Sequence, residues 1–268
     1  MKLAVAQTDP RLGQVAENLA AVDTALKGIS FDLLVLPELF ATGYYFNDLG
    51  QVKGLSELVP GGPTTAFLQQ LARSRDGFAC GGLIERDGGR LYNSAVLAGP
   101  DGFLAVCRKL HLYDEEQLWF TPGDKAPTVH DLGFARVGLM ICFDWIFPEV
   151  ARSLALQGAQ LLAHPANLVL HYCHDAMITR CLENGLFAAT ANRVGTDVKP
   201  NGEKLKFTGR SQVVAPDGQR LCSADAQTPQ VLQVEIDPTA ADSKAISARN
   251  HLLNDRRPEH YRALVDSL

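Results

Sequence analysis

The 268-residue chain has no apolar run approaching the ~20 residues that a membrane-spanning helix needs. It has no basic block either. The 25 lysines and arginines are outnumbered by 30 acidic residues, for a formal charge of −5. No stretch is built to track a phosphate backbone, so nucleic acid is not an expected partner. There is no Cys-x-x-C pair. Six cysteines, at 80, 107, 142, 173, 181 and 222, stand apart in mostly apolar surroundings. That is the pattern of reduced thiols in a cytoplasmic protein, not of a disulfide framework. A thiol redox enzyme would want a resolving cysteine nearby, and none is close in sequence. The apolar opening, residues 1–6, is too short for a secretory signal and ends at Asp9-Pro10. His164, His171 and His174 with Cys173 fit no zinc spacing, so neither metal nor organic cofactor is expected. No low-complexity linker divides the chain, which predicts one domain over 1–268.

What is present is an alternation of strand-like and helix-like segments. Residues 3–6 read as a strand. Val15, Leu19, Val22 and Leu26 form one helical stripe. Leu33-Leu34-Val35-Leu36 is a continuous apolar run, the pattern of a strand covered on both faces. Phe67, Leu68 and Leu71 predict a helix over 64–73. Runs at 78–84 and 91–97 flank Asp87-Gly88-Gly89 and predict a hairpin, and a further strand is expected over 103–108. The second half follows the same style, with strands over 134–141, 161–163, 186–191 and 231–236 and helices over 148–157 and 174–186. Pro216-Asp217-Gly218 turns between two strands, and a helical stretch is expected after Pro238. With 46% apolar residues the chain can bury a full core. The pattern predicts an α/β fold with mixed sheets.

The densest chemical signal lies around Cys142. Ala135, Val137, Leu139 and Ile141 share one face of a strand, with Arg136, Gly138 and Met140 on the other. Pro148-Glu149 is a helix start. Cys142 therefore sits on a sharp strand-to-helix turn, where a nucleophile is exposed beside backbone N–H groups that can receive an oxyanion. Glu38 follows the run at 33–37, and Lys109 follows the strand at 103–108. Functional groups of open α/β sheets collect beyond the carboxyl ends of strands. Alone, each charged residue reads more readily as a solvated loop residue. Together they supply a chemistry. The ammonium lowers a thiol pKa and holds an oxyanion, and the carboxylate takes the thiol proton and delivers it to a departing amine. Cys80, Cys107, Cys181 and Cys222 read as small buried hydrophobes.

Four segments resemble the nitrilase (carbon–nitrogen hydrolase) superfamily. They are Leu36-Pro37-Glu38-Leu39-Phe40-Ala41-Thr42-Gly43-Tyr44, Arg108-Lys109-Leu110-His111-Leu112-Tyr113, residues 138–149 around Cys142, and His164-Pro165-Ala166-Asn167. The resemblance runs through nearly the whole chain, to Asp255-Arg256-Arg257-Pro258. It implies a four-layer α-β-β-α sandwich of two mixed β-sheets flanked by helices. It also implies a homodimer or larger homo-oligomer, with 250–268 a tail packing at the interface. By the same resemblance Glu38 is the general base, Lys109 the oxyanion stabiliser, Cys142 the nucleophile and the Phe143 N–H a second oxyanion donor. Family members often carry another glutamate in the loop after the lysine. Glu116 fits that place best, with Glu115 the competitor, although Asp114-Glu115-Glu116 also reads as a solvated acidic loop. Tyr44, on the loop of Glu38, and Asn167 are the expected substrate contacts. Arg180, Glu183 and Asn184 are expected to be structural.

Nitrile-specific members typically show Cys-Trp-Glu. Cys142-Phe143-Asp144 looks instead like the amide- and carbamoyl-hydrolysing branches. The resemblance thus implies a cofactor-free thiol hydrolase. Its substrate would be a small linear amide, either a simple aliphatic amide or the ω-amide of a dicarboxylic acid, cleaved through a cysteine thioester to ammonia and acid. N-carbamoyl amine or amino acid hydrolysis, or nitrile hydrolysis, is the close alternative. A non-catalytic assembly module is the reading from another class, and the presence of Glu38, Lys109 and Cys142 together argues against it.

Overall fold

Strand alternation sets the layering. In the computed structural model, which describes residues 1–266, Leu3, Val5, Leu33 and Val35 point one way into a core shared with Leu139, Leu161 and Ala189. Their neighbours Ala4, Ala6, Leu34 and Leu36 point the other way, onto Val22, Leu26, Leu68 and Leu71. The apolar run at 33–36 is therefore buried on both faces, as read from the sequence. In chain order the elements are β1 (Lys2–Gln7), α1 (Val15–Ala25), β2 (Leu33–Val35), α2 (Leu49–Leu55), α3 (Pro63–Arg75), β3 (Phe78–Asp87), β4 (Arg90–Gly99), β5 (Gly102–Arg108), α4 (Glu116–Trp119), β6 (Val129–Asp131), β7 (Arg136–Leu139), α5 (Pro148–Leu156), β8 (Leu161–Pro165), α6 (Cys173–Asn184) and β9 (Phe187–Ala191). They continue with β10 (Thr196–Val198), β11 (Lys204–Lys206), β12 (Gln212–Val214), β13 (Arg220–Ser223), β14 (Gln230–Glu235), β15 (Ala245–Ser247) and β16 (Asn250–His251).

Two six-stranded mixed sheets result, ordered β14-β1-β2-β3-β4-β5 and β13-β12-β9-β8-β7-β6. Each has a parallel centre, β1-β2-β3 in one and β7-β8-β9 in the other, extended by antiparallel neighbours. The parallel strands β1, β2 and β3 face β8 and β9 across the inner core. Helices α1 and α3 cover the outside of the first sheet. On the second sheet, a Cβ at Gly138 would lie 3.0 Å from the Leu154 side chain of α5, so the missing side chain is what lets α5 close down. The architecture is the four-layer α-β-β-α sandwich.

Local signals were read well where they were strong. The β3–β4 hairpin turns at Gly88 and Gly89, both with positive φ (53° and 82°), as a tight two-residue turn requires. Helix α6 stops at Gly185 in the left-handed region. The helical stretch expected after Pro238 is not there. One 3-10 turn, Pro238–Ala241, leads into the β15–β16 hairpin. Only Pro238 and Ala241 are buried, which gives a longer helix no continuous face to bury. Cys107 and Cys222 are half-buried rather than buried, because their strands lie near sheet edges. Cys80 and Cys181 are buried. Of the tail expected over 250–268, residues 250–266 are mostly exposed, and 267 and 268 lie outside the described residues. No described helix is long and apolar enough to cross a membrane.

Candidate active site

Three strand ends from two sheets meet at one point. The chain leaves β2 through Leu36-Pro37 and bends at Leu39, whose φ of 49° turns the Glu38 carboxylate inward. Gly82 of β3 lies beneath this bend, where an added Cβ would come 2.6 Å from both Glu38 Cα and the Leu39 nitrogen. Lys109 extends β5: its N–H donates to Asn93 O at 2.8 Å, and its carbonyl accepts from the Gly123 N–H at 2.8 Å. Cys142 follows β7 and opens a 3-10 turn over Cys142–Ile146 with φ of 40°. A cysteine in the left-handed region stores strain of order 1–3 kcal/mol, held here by its surroundings. Asp144 pins the turn by accepting from the Ile141 N–H at 3.0 Å and the His111 N–H at 3.0 Å. Beneath it, His164 Nε2 lies 2.9 Å from the Cys142 carbonyl and Nδ1 lies 3.0 Å from Thr190 Oγ1. A carbonyl only accepts, so Nε2 carries the proton and Thr190 donates to Nδ1. Burial lowers the His164 pKa, which keeps the ring neutral for this role.

The charged groups form a buried hub. Lys109 Nζ donates to Glu38 Oε1 at 2.8 Å and to Glu116 Oε1 at 2.6 Å, with all three side chains at most 3% exposed. Asn93 Nδ2 donates to the same Glu38 oxygen at 2.7 Å, and Tyr44 OH donates to Glu116 Oε1 at 2.6 Å. The Tyr113 N–H holds the other Glu116 oxygen at 3.1 Å. Glu38 Oε2 is buried and finds no hydrogen-bond partner among the described residues. One carboxylate oxygen is thus fixed by lysine and asparagine, and the other is left to take a proton. Lys109 has a third N–H beyond its two carboxylates, available to an incoming oxygen.

Electrostatics separates the roles. Burial alone would lower the Lys109 pKa, but Glu116 and Glu38 outweigh it and hold the ammonium charged. The Glu116 carboxyl is pushed up to about 7, because burial and then Glu38 raise it by more than Lys109 and Tyr44 pull it back. Burial also pushes the Cys142 thiol well above the usual cysteine range. Glu38 adds to that rise while Lys109 opposes it. The sequence argument had the lysine favouring thiolate. That pull is present, but desolvation and the two carboxylates outweigh it, so the balance favours the thiol over the thiolate.

Each sequence-derived site residue can now be placed. Glu38, Lys109 and Glu116 form the hub, and Cys142 is buried beside it, within the field of all three. Glu115 is not in the hub: it pairs with Lys199 at 2.6 Å. Tyr44 reaches the site through Glu116 and also lines a cleft outside it. Asn167 Nδ2 donates to the Glu38 carbonyl at 2.8 Å, and the residue lines a small apolar cavity with Cys142, Phe143, Trp145 and Leu168. Arg180 bonds Glu183 at 2.8 Å and the Trp145 carbonyl at 3.0 Å, tying α6 to the turn that carries Cys142. Asn93, His164, Asp144 and Tyr113 were not singled out as site residues. Asn93 is a lone amide in the apolar run 91–97, a signal that was legible. His164 was weighed only as a metal ligand, yet it supports the Cys142 backbone.

An alanine at 82 would collide with backbone, which cannot swing aside as a side chain can. Gly82→Ala is expected to cost about 1–3 kcal/mol of stability and to lower turnover by displacing Glu38. Urea unfolding with a parallel rate assay checks this. An unchanged midpoint and rate would mean the contact is looser than 2.6 Å implies.

Comparison with known proteins identifies the family. The carbon–nitrogen hydrolase family model matches residues 2–245. A protein of Pyrococcus abyssi named nitrilase is 42% identical over 264 residues, 97% of this chain and 99% of that one. An (R)-stereoselective amidase of Pseudomonas sp is 34% identical over 269 residues, 97% of this chain and 95% of its own. Among solved structures, a cysteine-to-alanine mutant of the Nesterenkonia AN1 amidase superposes with a TM-score of 0.81 at 28% identity, covering 99% of this chain and 97% of that chain. With a matched family model, full-length relatives and the same sandwich, the chain belongs to the carbon–nitrogen hydrolase family, in the amidase-like branch of the nitrilase superfamily.

Proposed function

We propose that this enzyme hydrolyses the C–N bond of a small linear amide through a thioester on Cys142. The observation that carries the reading is the buried hub, in which one ammonium is shared by Glu38 and Glu116 directly beside a strained, buried cysteine. Substrate enters with its carbonyl carbon over the sulfur. Glu38 Oε2 takes the thiol proton as the sulfur pair forms the C–S bond, and the carbonyl π pair moves onto oxygen. The third Lys109 N–H and the Phe143 N–H receive that oxyanion. The first N–H groups of a helical turn lack partners within it. One such donor commonly contributes ~100-fold or more in rate. Collapse breaks the C–N bond, and Glu38 returns its proton to the leaving nitrogen, so ammonia departs neutral. Glu38 then takes a proton from water, whose oxygen attacks the thioester. The sulfur leaves and is reprotonated, and the carboxylic acid is released. Glu116, fixed by Tyr44 and the Tyr113 N–H, holds Lys109 in line throughout.

The apolar lining beside Cys142, with Trp145, Leu168, Val169 and Leu170, suits a short acyl chain. An N-carbamoyl substrate is the second reading. It rests on the polar wall that Asn167 adds, with its Oδ1 buried and without a partner among the described residues. Ammonia release over a panel of short amides, ureido compounds and nitriles tests the assignment, read together with the intact mass of the protein. An acyl adduct appearing during amide turnover is expected. No turnover and no adduct with any panel member would overturn the hydrolase reading in favour of a binding module.

A further inference from the structure

A second cleft opens on the far side of Tyr113 from the sulfur. It has a volume of about 50 Å³ and runs from Tyr44 and Glu116 outward past Tyr45, Trp119 and Asp114 to Leu205. Tyr44 and Glu116 belong to the hub, so this cleft is where the far end of a longer substrate would lie. Its charges are one-sided. Asp114 lines it, with φ of 48°, and has no ion pair among the described residues. Glu115 lines it too, but both of its oxygens are taken by Lys199, at 2.7 and 2.6 Å. That ammonium also sits 4.1 Å over the Tyr45 ring. Glu203 stands 3.5 Å from the Tyr45 hydroxyl at the rim. The other cations of the β10–β11 hairpin do not help an anion. Leu205 faces the cleft, so strand alternation sends Lys204 and Lys206 to the opposite face. Lys109 is already shared by Glu38 and Glu116.

A substrate carboxylate entering here would meet Asp114, Glu203 and phenol oxygens, with every nearby ammonium already bound to a glutamate. A substrate ammonium would meet Asp114 and the Trp119 ring, whose face attracts cations, because the Tyr45 face is already taken by Lys199. The Tyr113 phenol is pushed up by burial and then by Asp114, as a negative field requires.

We infer that this outer cleft selects amides whose far end carries a positive charge and rejects those ending in a carboxylate, with Asp114 the selecting group and Glu115 the mask over Lys199. The inference rests on the amide-hydrolase reading and reverses one expectation from the sequence, that ω-amides of dicarboxylic acids are favoured. The test is kcat/KM for three amides of matched length: 5-aminopentanamide, hexanamide and 4-carbamoylbutanoate. The expected order is cation, neutral, anion, with successive gaps of about fivefold at low salt that narrow as ionic strength rises. Asp114→Asn should bring 5-aminopentanamide down to hexanamide. Glu115→Gln should free Lys199 and raise 4-carbamoylbutanoate relative to hexanamide. Wild-type preference for the carboxylate, or ratios that neither variant moves, would overturn the selectivity and leave the amidase reading standing. Turnover of none of the three, with no acyl adduct on Cys142, would overturn both.

Discussion

Alanine in place of Cys142 is expected to cut ammonia release by about 10⁴-fold or more and to abolish any acyl adduct in the intact mass. Among the described residues no other thiol acts on the hub, so the loss should not be shared out among neighbours. Some rate over water should survive, because Lys109, Glu38 and the Phe143 N–H still hold and polarise the carbonyl. The fold should survive as well. Alanine meets the same left-handed backbone at 142 that cysteine does, and the residue removed is a neutral thiol with no ion pair of its own. Unfolding midpoints for wild type and Cys142→Ala should therefore nearly coincide while rates differ by orders of magnitude. A variant keeping more than a hundredth of wild-type activity would remove the sulfur from the mechanism.

Lys109→Met should do the opposite and damage stability as well as rate. Its methylene stem is replaced, but Glu38 and Glu116 are left buried and facing one another without the cation both use. Breaking a buried ion pair from one side typically costs about 3–5 kcal/mol. The pH dependence identifies the cause. Glu116 titrates near 7 in the folded protein, above the ordinary carboxylate value of 4.5. The folded state thus holds this proton more tightly than the unfolded chain. Its contribution to stability is full below the unfolded value and is lost as pH rises toward the folded one. Removing Lys109 takes away the larger of the two groups lowering that pKa, the Tyr44 hydroxyl being the other, so the window widens upward. The deficit of Lys109→Met should be larger at pH 8 than at pH 5, measured by urea unfolding at both. Equal deficits would show that lost packing, and not unpaired charge, is the defect. Adding Glu116→Gln to Lys109→Met should restore part of the loss at pH 8.

The layered fold was legible because its signals are local and repeated. The two-faced run at 33–36, the Gly88-Gly89 hairpin and the Pro148 helix start each dictate a backbone without outside help. The small elements were not. Helix α2 buries only Val52, and β10 and β11 have three residues each, so neither carries a period long enough to read. The same division runs through the site. Glu38, Lys109 and Cys142 could be found because each ends a strand whose apolar pattern is clear. Choosing Glu116 over Glu115 needed family context, since adjacent carboxylates in an acidic loop look alike until one points at Lys109 and the other at Lys199. The rise of the thiol pKa is not legible in the sequence, because charge is visible there and depth is not. The lysine could be counted, whereas the desolvation that overrides it appears only once two sheets close over the sulfur.

The antiparallel partner of β1 is β14, with Lys2 opposite Glu235 and Gln7 opposite Gln230. During synthesis the second strand of that pair emerges more than two hundred residues after the first. Until it arrives, β1 presents an apolar strand with unsatisfied amides along one margin, the kind of template on which nascent chains stick to each other. Closure of so long a loop is slow compared with hairpin formation. The ribosome therefore finishes most of the scaffold before the first strand is sealed, and a chain released short of residue 230 would leave that seam open.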